Sequence, residues 1–208
     1  VGPIFDDYFE DFDIVGRPSL PGGWSRIRNT STSNANVATA GPPHYTAFSA
    51  PNLVRLNNSS DLEAELVLIS PPVDEQLELS AFRTRLWLKN SASAPLLVGT
   101  MDDPQGSFTP LAEWVSDNHF TWQEFMLGFE NYQGTDRYIA FKQKVVNTNS
   151  HIQIDDVFIE IIPPPIFTIS ADAHDFGEGW LNYLNDSLQI SITNKGHYEV
   201  LLHEIAMG

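Results

Sequence analysis

Between residues 62 and 162 the chain repeats one pattern, a short run of β-forming residues followed by turn residues. The runs read LEAELVLIS, QLELSAFRTRLWLKN, APLLVGTMDD, WQEFMLGF, DRYIAFKQKVV and HIQIDDVFIEII. Alternation marks Leu77, Leu79 and Ala81, and again Thr84, Leu86 and Leu88, which places each trio on one face of a strand. No stretch sustains a helical period with caps. Many short strands with frequent turns predict an all-β chain whose first domain is a β-sandwich or jelly roll.

The flanking segments set the domain organisation. Residues 25–60 are rich in Ser, Thr, Asn, Ala and Pro, with only a strand-like piece around Leu53 to Leu56. That composition predicts a long surface loop, turning at Gly41-Pro42-Pro43 and Asn57-Asn58, and long ordered loops often bind ligands. Pro163-Pro164-Pro165 ends the last strand, because proline cannot donate to a ladder. We therefore expect a first domain over residues 1–162 and a second segment over 163–208. The tail holds about three more strands, of which SLQISITN alternates cleanly, yet it is shorter than ordinary domains of roughly 50 to 250 residues. It either packs on the first domain or begins a second one that continues past Gly208.

The chain carries 27 acidic and 11 basic side chains, a net charge of −16. Such a surface repels phosphate backbones and anionic membranes, so nucleic acid is not expected as a partner, while hard divalent cations suit it. Cysteine is absent, which excludes disulfides and thiol nucleophiles. No apolar run reaches membrane-spanning length and no signal sequence opens the chain, so an exported form would already have lost its leader.

The acids concentrate at two places. The opening VGPIFDDYFEDFD contributes Asp6, Asp7, Glu10, Asp11 and Asp13, and the last strand of the set contributes Asp155 and Asp156. In HIQIDDVFIEII, Ile152 and Ile154 have one parity and Val157, Ile159 and Ile161 the other. Either one extra residue at Asp155-Asp156 forms a β-bulge that unites them, or the strand is regular and both faces are covered. Terminal strands of a sandwich often lie side by side, so the two acidic segments can meet. Carboxylates brought together repel unless a cation neutralises them, and Ca²⁺ would take carbonyls or waters besides. The alternative is a solvated acidic face.

Catalytic signals are sparse. Paired acids would suit a glycosidase, but the sequence supplies no separation for them. The six histidines show no HExxH spacing, and neither a GxSxG elbow nor a complete phosphate loop is present. We expect no enzyme. Most tryptophans should pack in or beside the core, whereas Tyr45, Phe48 and Trp114 lie near loop signals and are the candidates for stacking a sugar ring.

Taken in order, YFEDFD, LPGGW, LVLISPPVD, RLWLKN, FTWQEFMLGFENYQG, DRYIAFK and IQIDDVFIEI resemble the cleaved-adhesin, or choice-of-anchor J, type of MAM-like jelly roll over about residues 5–162. The resemblance implies a non-catalytic adhesion or ligand-binding module of a larger secreted or cell-surface protein, mostly of Bacteroidetes, with structural calcium near the chain ends. Its ligand would be a glycan or a surface protein, and type IX secretion is suggested by the family alone. Carried onto this chain, the metal-site acids are Glu10, with Asp11 beside it, and Asp155 and Asp156. A carbohydrate-binding module attached to a secreted glycoside hydrolase or peptidase is the second reading. The tail FTISADAHDFGEGWLNYLNDSLQISITNKG resembles the start of an immunoglobulin-like choice-of-anchor D, or ASPM-SPD-2-Hydin, module, which implies a partial second β-sandwich.

Overall fold

In the computed structural model of the chain, described over residues 2–91, 94–115, 120–162, 167–169 and 191–194, alternation becomes layering. The first sheet runs β3 (Asn36–Ala40), β4 (Leu53–Asn57), β11 (His151–Ile161), β6 (Phe82–Asn90) and β9 (Gln123–Gly128), and β1 (Tyr8–Glu10) also pairs with β11. The second runs β2 (Ser25–Asn29), β5 (Glu65–Ile69), β10 (Tyr138–Gln143), β7 (Leu96–Met101) and β8 (Thr109–Trp114). Every pairing in the two sheets is antiparallel. This is an all-β sandwich.

The inner faces supply the core. Val54, Leu56, Leu86, Leu88, Ile152 and Ile154 of the first sheet belong to one buried cluster with Leu66, Leu68, Leu96, Val98, Ile139 and Phe141 of the second. Trp24 closes one side of it, with Phe12 at 5.3 Å edge-on and Phe141 stacked at 6.4 Å between ring centroids. Thr84, Leu86 and Leu88 are buried while Arg85, Trp87 and Lys89 between them are half-exposed. The latter set therefore decorates the outer face of the first sheet.

β11 is the longest strand, and it does contain the bulge. Its register against β6 shifts between Asp155 and Phe158, and Asp156 adopts a left-handed φ of 45°. The shift returns Val157 and Ile159 to the buried face already held by Ile152 and Ile154. It also divides one edge of the strand. β4 pairs with His151 to Ile154, β1 pairs with Val157 to Ile159, and β6 runs along the opposite edge of both halves.

Three expectations need correction. Residues 25–60 are not one long loop: β2 and β3 form within them, because Ile27 packs on the outer face of the second sheet and Val37 is fully buried. Leu77, Leu79 and Ala81 do not share a strand face, since Leu79–Ala81 is a 3-10 turn that buries Leu79 and leaves Ala81 exposed. β8 went unanticipated, as Pro110 masks an edge strand whose residues are mostly exposed.

The chain divides into two compact units, Val1–Ile162 and Pro163–Gly208. In the second, β12 (Phe167–Ile169) pairs antiparallel with β13 (Ile192–Asn194), the latter inside the SLQISITN run. The rest of the expected immunoglobulin-like segment lies outside the described residues.

Chemical denaturation provides a test of the core. Phe141→Ala should cost about 3–5 kcal/mol, the ordinary loss for emptying a fully buried aromatic site. Phe9→Ala should cost far less, because Phe9 is 49% exposed.

Candidate functional site

The bulge aims its two acids at the segment joining β3 to β4, residues 41–52. Asp155 is fully buried, and its Oδ2 accepts the backbone N–H of Phe48 at 2.8 Å and of Ser49 at 3.1 Å. Its Oδ1 accepts the Asp156 N–H at 3.0 Å, while Asp156 Oδ1 accepts the Ser49 hydroxyl at 2.6 Å. The connecting loop is thus clamped to the sheet by carboxylates. Burial, reinforced by the neighbouring Asp156 charge, pushes the Asp155 carboxyl up to about 8, with the three N–H donors pulling the other way.

The opening acids separate by role. Glu10 pairs opposite Val157, next to the bulge, and is buried. Its oxygens accept Tyr8 Oη at 2.8 Å and the Phe12 N–H at 3.0 Å, and Tyr8 Oη in turn accepts the Trp24 indole N–H at 2.9 Å. Burial raises the pKa of Glu10. Asp13 Oδ1 accepts the Asn52 N–H at 2.7 Å and Asp11 Oδ1 accepts the Asp13 N–H at 3.0 Å. Asp13 is raised by burial first and then by the charges of Asp11 and Asp156, so the opening segment and the bulge do meet electrostatically. Asp6 and Asp7 are exposed, as expected of solvated charge, though Asp7 Oδ1 also accepts the Ile161 N–H at 2.9 Å. Phe12 enters the core, but Phe9 does not; it lies tilted against Phe158, ring centroids 4.5 Å apart, on the outer face.

The donor chemistry sorts these acids as possible calcium ligands. Glu10 accepts one protein donor on each oxygen and Asp155 accepts three between its two, which leaves fewer lone pairs for a metal. Asp11, Asp13 and Asp156 each commit only Oδ1 and fit better. Among the described residues no three His or carboxylate side chains already converge as a metal cage.

The clamped loop lays an aromatic group on the outer face of the first sheet. Phe48 stacks on Trp87 of β6, centroids 3.8 Å apart and planes within 12°, and meets Trp122 at 6.2 Å nearly perpendicular. Tyr45 stands edge-on to His151 at 6.4 Å, beneath the Arg55 guanidinium at 4.8 Å. Lys89 Nζ lies 4.6 Å over the Trp122 ring and donates to the Thr46 carbonyl at 3.1 Å. Trp114 behaves otherwise: it ends β8, stacks on Phe125 at 5.1 Å and packs against the core, so it is a bridge between the sheets rather than an open platform. Trp87 and Trp122 escaped the sequence reading because nothing local distinguishes an outward strand tryptophan from an inward one. For Trp87 the parity against Leu86 and Leu88 was the usable signal.

A nucleophile and base also approach one another here, Ser91 Oγ and His151 Nδ1 at 3.1 Å. The hydroxyl is held by the His151 backbone on both sides, accepting its N–H at 2.9 Å and donating to its carbonyl at 3.3 Å. Burial and the charges of Arg55 and Lys89 lower His151 to about 4, which makes it a weak base. The pair is a structural tie.

These features define an antiparallel β-sandwich with a loop-clamped aromatic face. Solved structures share the sandwich fold. The K2 cleaved adhesin domain of Lys-gingipain aligns with a TM-score of 0.60 at 15% identity, covering 74% of this chain and 99% of that one. The K1 domain from Porphyromonas gingivalis gives 0.57 at 17%, covering 74% and 98%, and the K3 domain from the same organism gives 0.52 at 20%, covering 74% and 96%. At such identities the likeness is one of fold. No family model matches the sequence, and no curated protein matches it.

The acids set a pH dependence. An unfolded Asp155 releases its proton near its ordinary value of 3.8 and the folded one near 8, so between them the folded state binds more protons. In chelator, the melting temperature should therefore fall as pH rises from about 4 to about 8, and Asp155→Asn should flatten that slope. An unchanged slope in the variant would show that Asp155 is not the group responsible.

Proposed function

We propose that the first unit is a non-catalytic ligand-binding module of a larger exported bacterial surface protein, and that it grips a glycan on the face made by Tyr45, Phe48 and Trp122. One observation carries the reading. Phe48 is 42% exposed, yet its orientation is fixed from below by Trp87 and through its own N–H by Asp155. A large apolar ring held open to solvent contributes little to the core, and a preset ring loses little freedom on binding. The polar neighbours Arg55, Lys89 and Gln153 supply hydrogen-bonding groups beside the rings, the mixture a saccharide needs. The fold likeness to the gingipain adhesin domains is compatible with this role.

Structural calcium belongs to the same proposal. Asp11, Asp13 and Asp156 would hold the ion, joined by carbonyl or water oxygens to reach six to eight ligands. Bound there, the cation would offset the repulsion these acids exert on one another. The remaining residues of the corner act without it, Glu10 tying Tyr8 to the turn at Phe12 and Asp155 holding the loop.

Two measurements test the proposal. On a glycan array followed by calorimetry, Phe48→Ala and Tyr45→Ala should each weaken binding about tenfold, the scale of a truncated aromatic hot spot. Affinity untouched by both substitutions would remove the face from consideration. In melting experiments, Ca²⁺ should raise the transition of the wild type and do so much less in Asp13→Asn and Asp156→Asn. Identical melting with calcium and with chelator would overturn the calcium assignment.

A further inference from the structure

One row across the first sheet is out of character for so acidic a chain. Arg55 of β4 pairs in register with Gln153 of β11, which pairs with Lys89 of β6. All three point outward, beside Tyr45 and Trp122. The two cations start about 10 Å apart, from two strand spacings. Neither forms an ion pair with a carboxylate among the described residues, although acidic side chains outnumber basic ones 27 to 11. The acid that reaches Lys89 electrostatically is Asp155, whose oxygens already accept three N–H groups. Arg55 Nε is buried with no hydrogen-bond partner in the protein, and so is Oε1 of Gln153, a residue only 5% exposed. The row is therefore a set of two donor cations around one acceptor; Lys89 spends one donor on the Thr46 carbonyl, while Arg55 Nε and Gln153 Oε1 have no hydrogen-bond partner. Burial without a counter-ion also lowers the pKa of both Arg55 and Lys89, a cost that a bound anion would offset.

We propose that this row is an anionic subsite, so that the ligand stacked on Tyr45, Phe48 and Trp122 is an acidic glycan. Its carboxylate or sulfate is received between Arg55 and Lys89, and a neighbouring hydroxyl donates to Gln153 Oε1. The inference rests on the glycan-binding reading above and adds the chemical class of the sugar. The carboxylate and sulfate versions share the same contacts and differ only in the group delivered.

Calorimetry on the full chain with three probes tests it: trigalacturonate, a keratan sulfate tetrasaccharide, which carries sulfate and no carboxylate, and neutral galactotriose. At least one acidic probe should bind about tenfold or more tighter than galactotriose, and its affinity should fall as salt is raised. Binding of trigalacturonate identifies a carboxylate site; binding of the sulfated probe alone identifies a sulfate site. Arg55→Gln and Lys89→Gln should each cost about tenfold for the acidic probe, whereas Arg55→Lys, which keeps the charge, should retain most of the affinity. Melting curves establish that each variant is folded. Galactotriose binding as tightly as the acidic probes, or Arg55→Gln and Lys89→Gln binding like wild type, overturns the anionic subsite. If Phe48→Ala still abolishes binding in that case, the glycan-binding face survives. No binding by any of the three probes counts against both.

Discussion

The hydrogen bonds accepted by the Asp155 carboxylate organise this molecule. Burying an acid is expensive, which is why Asp155 is pushed up to about 8, and fixed donors make up only part of the lost solvation. Here the donors are the N–H groups of Phe48 and Ser49 in the loop and of Asp156 in the bulge. The arrangement works in both directions. The acid is satisfied by the loop, and a segment rich in proline and small residues acquires a single position on the sheet. The aromatic group the loop lays on the outer face, from the Phe48–Trp87 stack to the Lys89 contact with Thr46, follows from that position.

The bulge makes this possible, because it lets one strand serve two purposes. A regular strand would have to send either the isoleucines before it or the valine and isoleucine after it away from the core. The extra residue keeps Ile152, Ile154, Val157 and Ile159 buried together while freeing Asp155 and Asp156 to face other segments. The left-handed backbone at Asp156 is a conformation that Asp tolerates better than most residues. The acids and the kink are therefore one feature seen twice.

Much of this was legible in the chain. Parity alone located the strand faces of β6 and raised the bulge as one of two solutions for β11, and a meeting of the two acidic segments stood beside a solvated acidic face as one of two alternatives. What parity cannot show is the partner of a polar side chain. Glu10 and Asp155 were named as metal ligands from the resemblance alone, which says nothing of the protein donors that their oxygens accept. Strands β2 and β3 were hidden for a related reason. Both lie at sheet edges; β2 has no buried residue, and β3 is covered yet built of Asn, Ala and Thr around a single valine, so their sequence resembles a loop. Tyr45 was named because its loop was visible, and Trp114 was named because the end of an edge strand reads like the start of a turn.

The divided edge of β11 carries one more consequence. Because β1 covers only the half beyond the bulge, a molecule clipped between Glu10 and Phe12 would keep its core layers yet bare the backbone of Val157 to Ile159. Unpaired strand edges recruit strands, including those of other molecules. The short strand β1 thus shields that edge, and its loss would leave a sandwich able to add a neighbour's strand there.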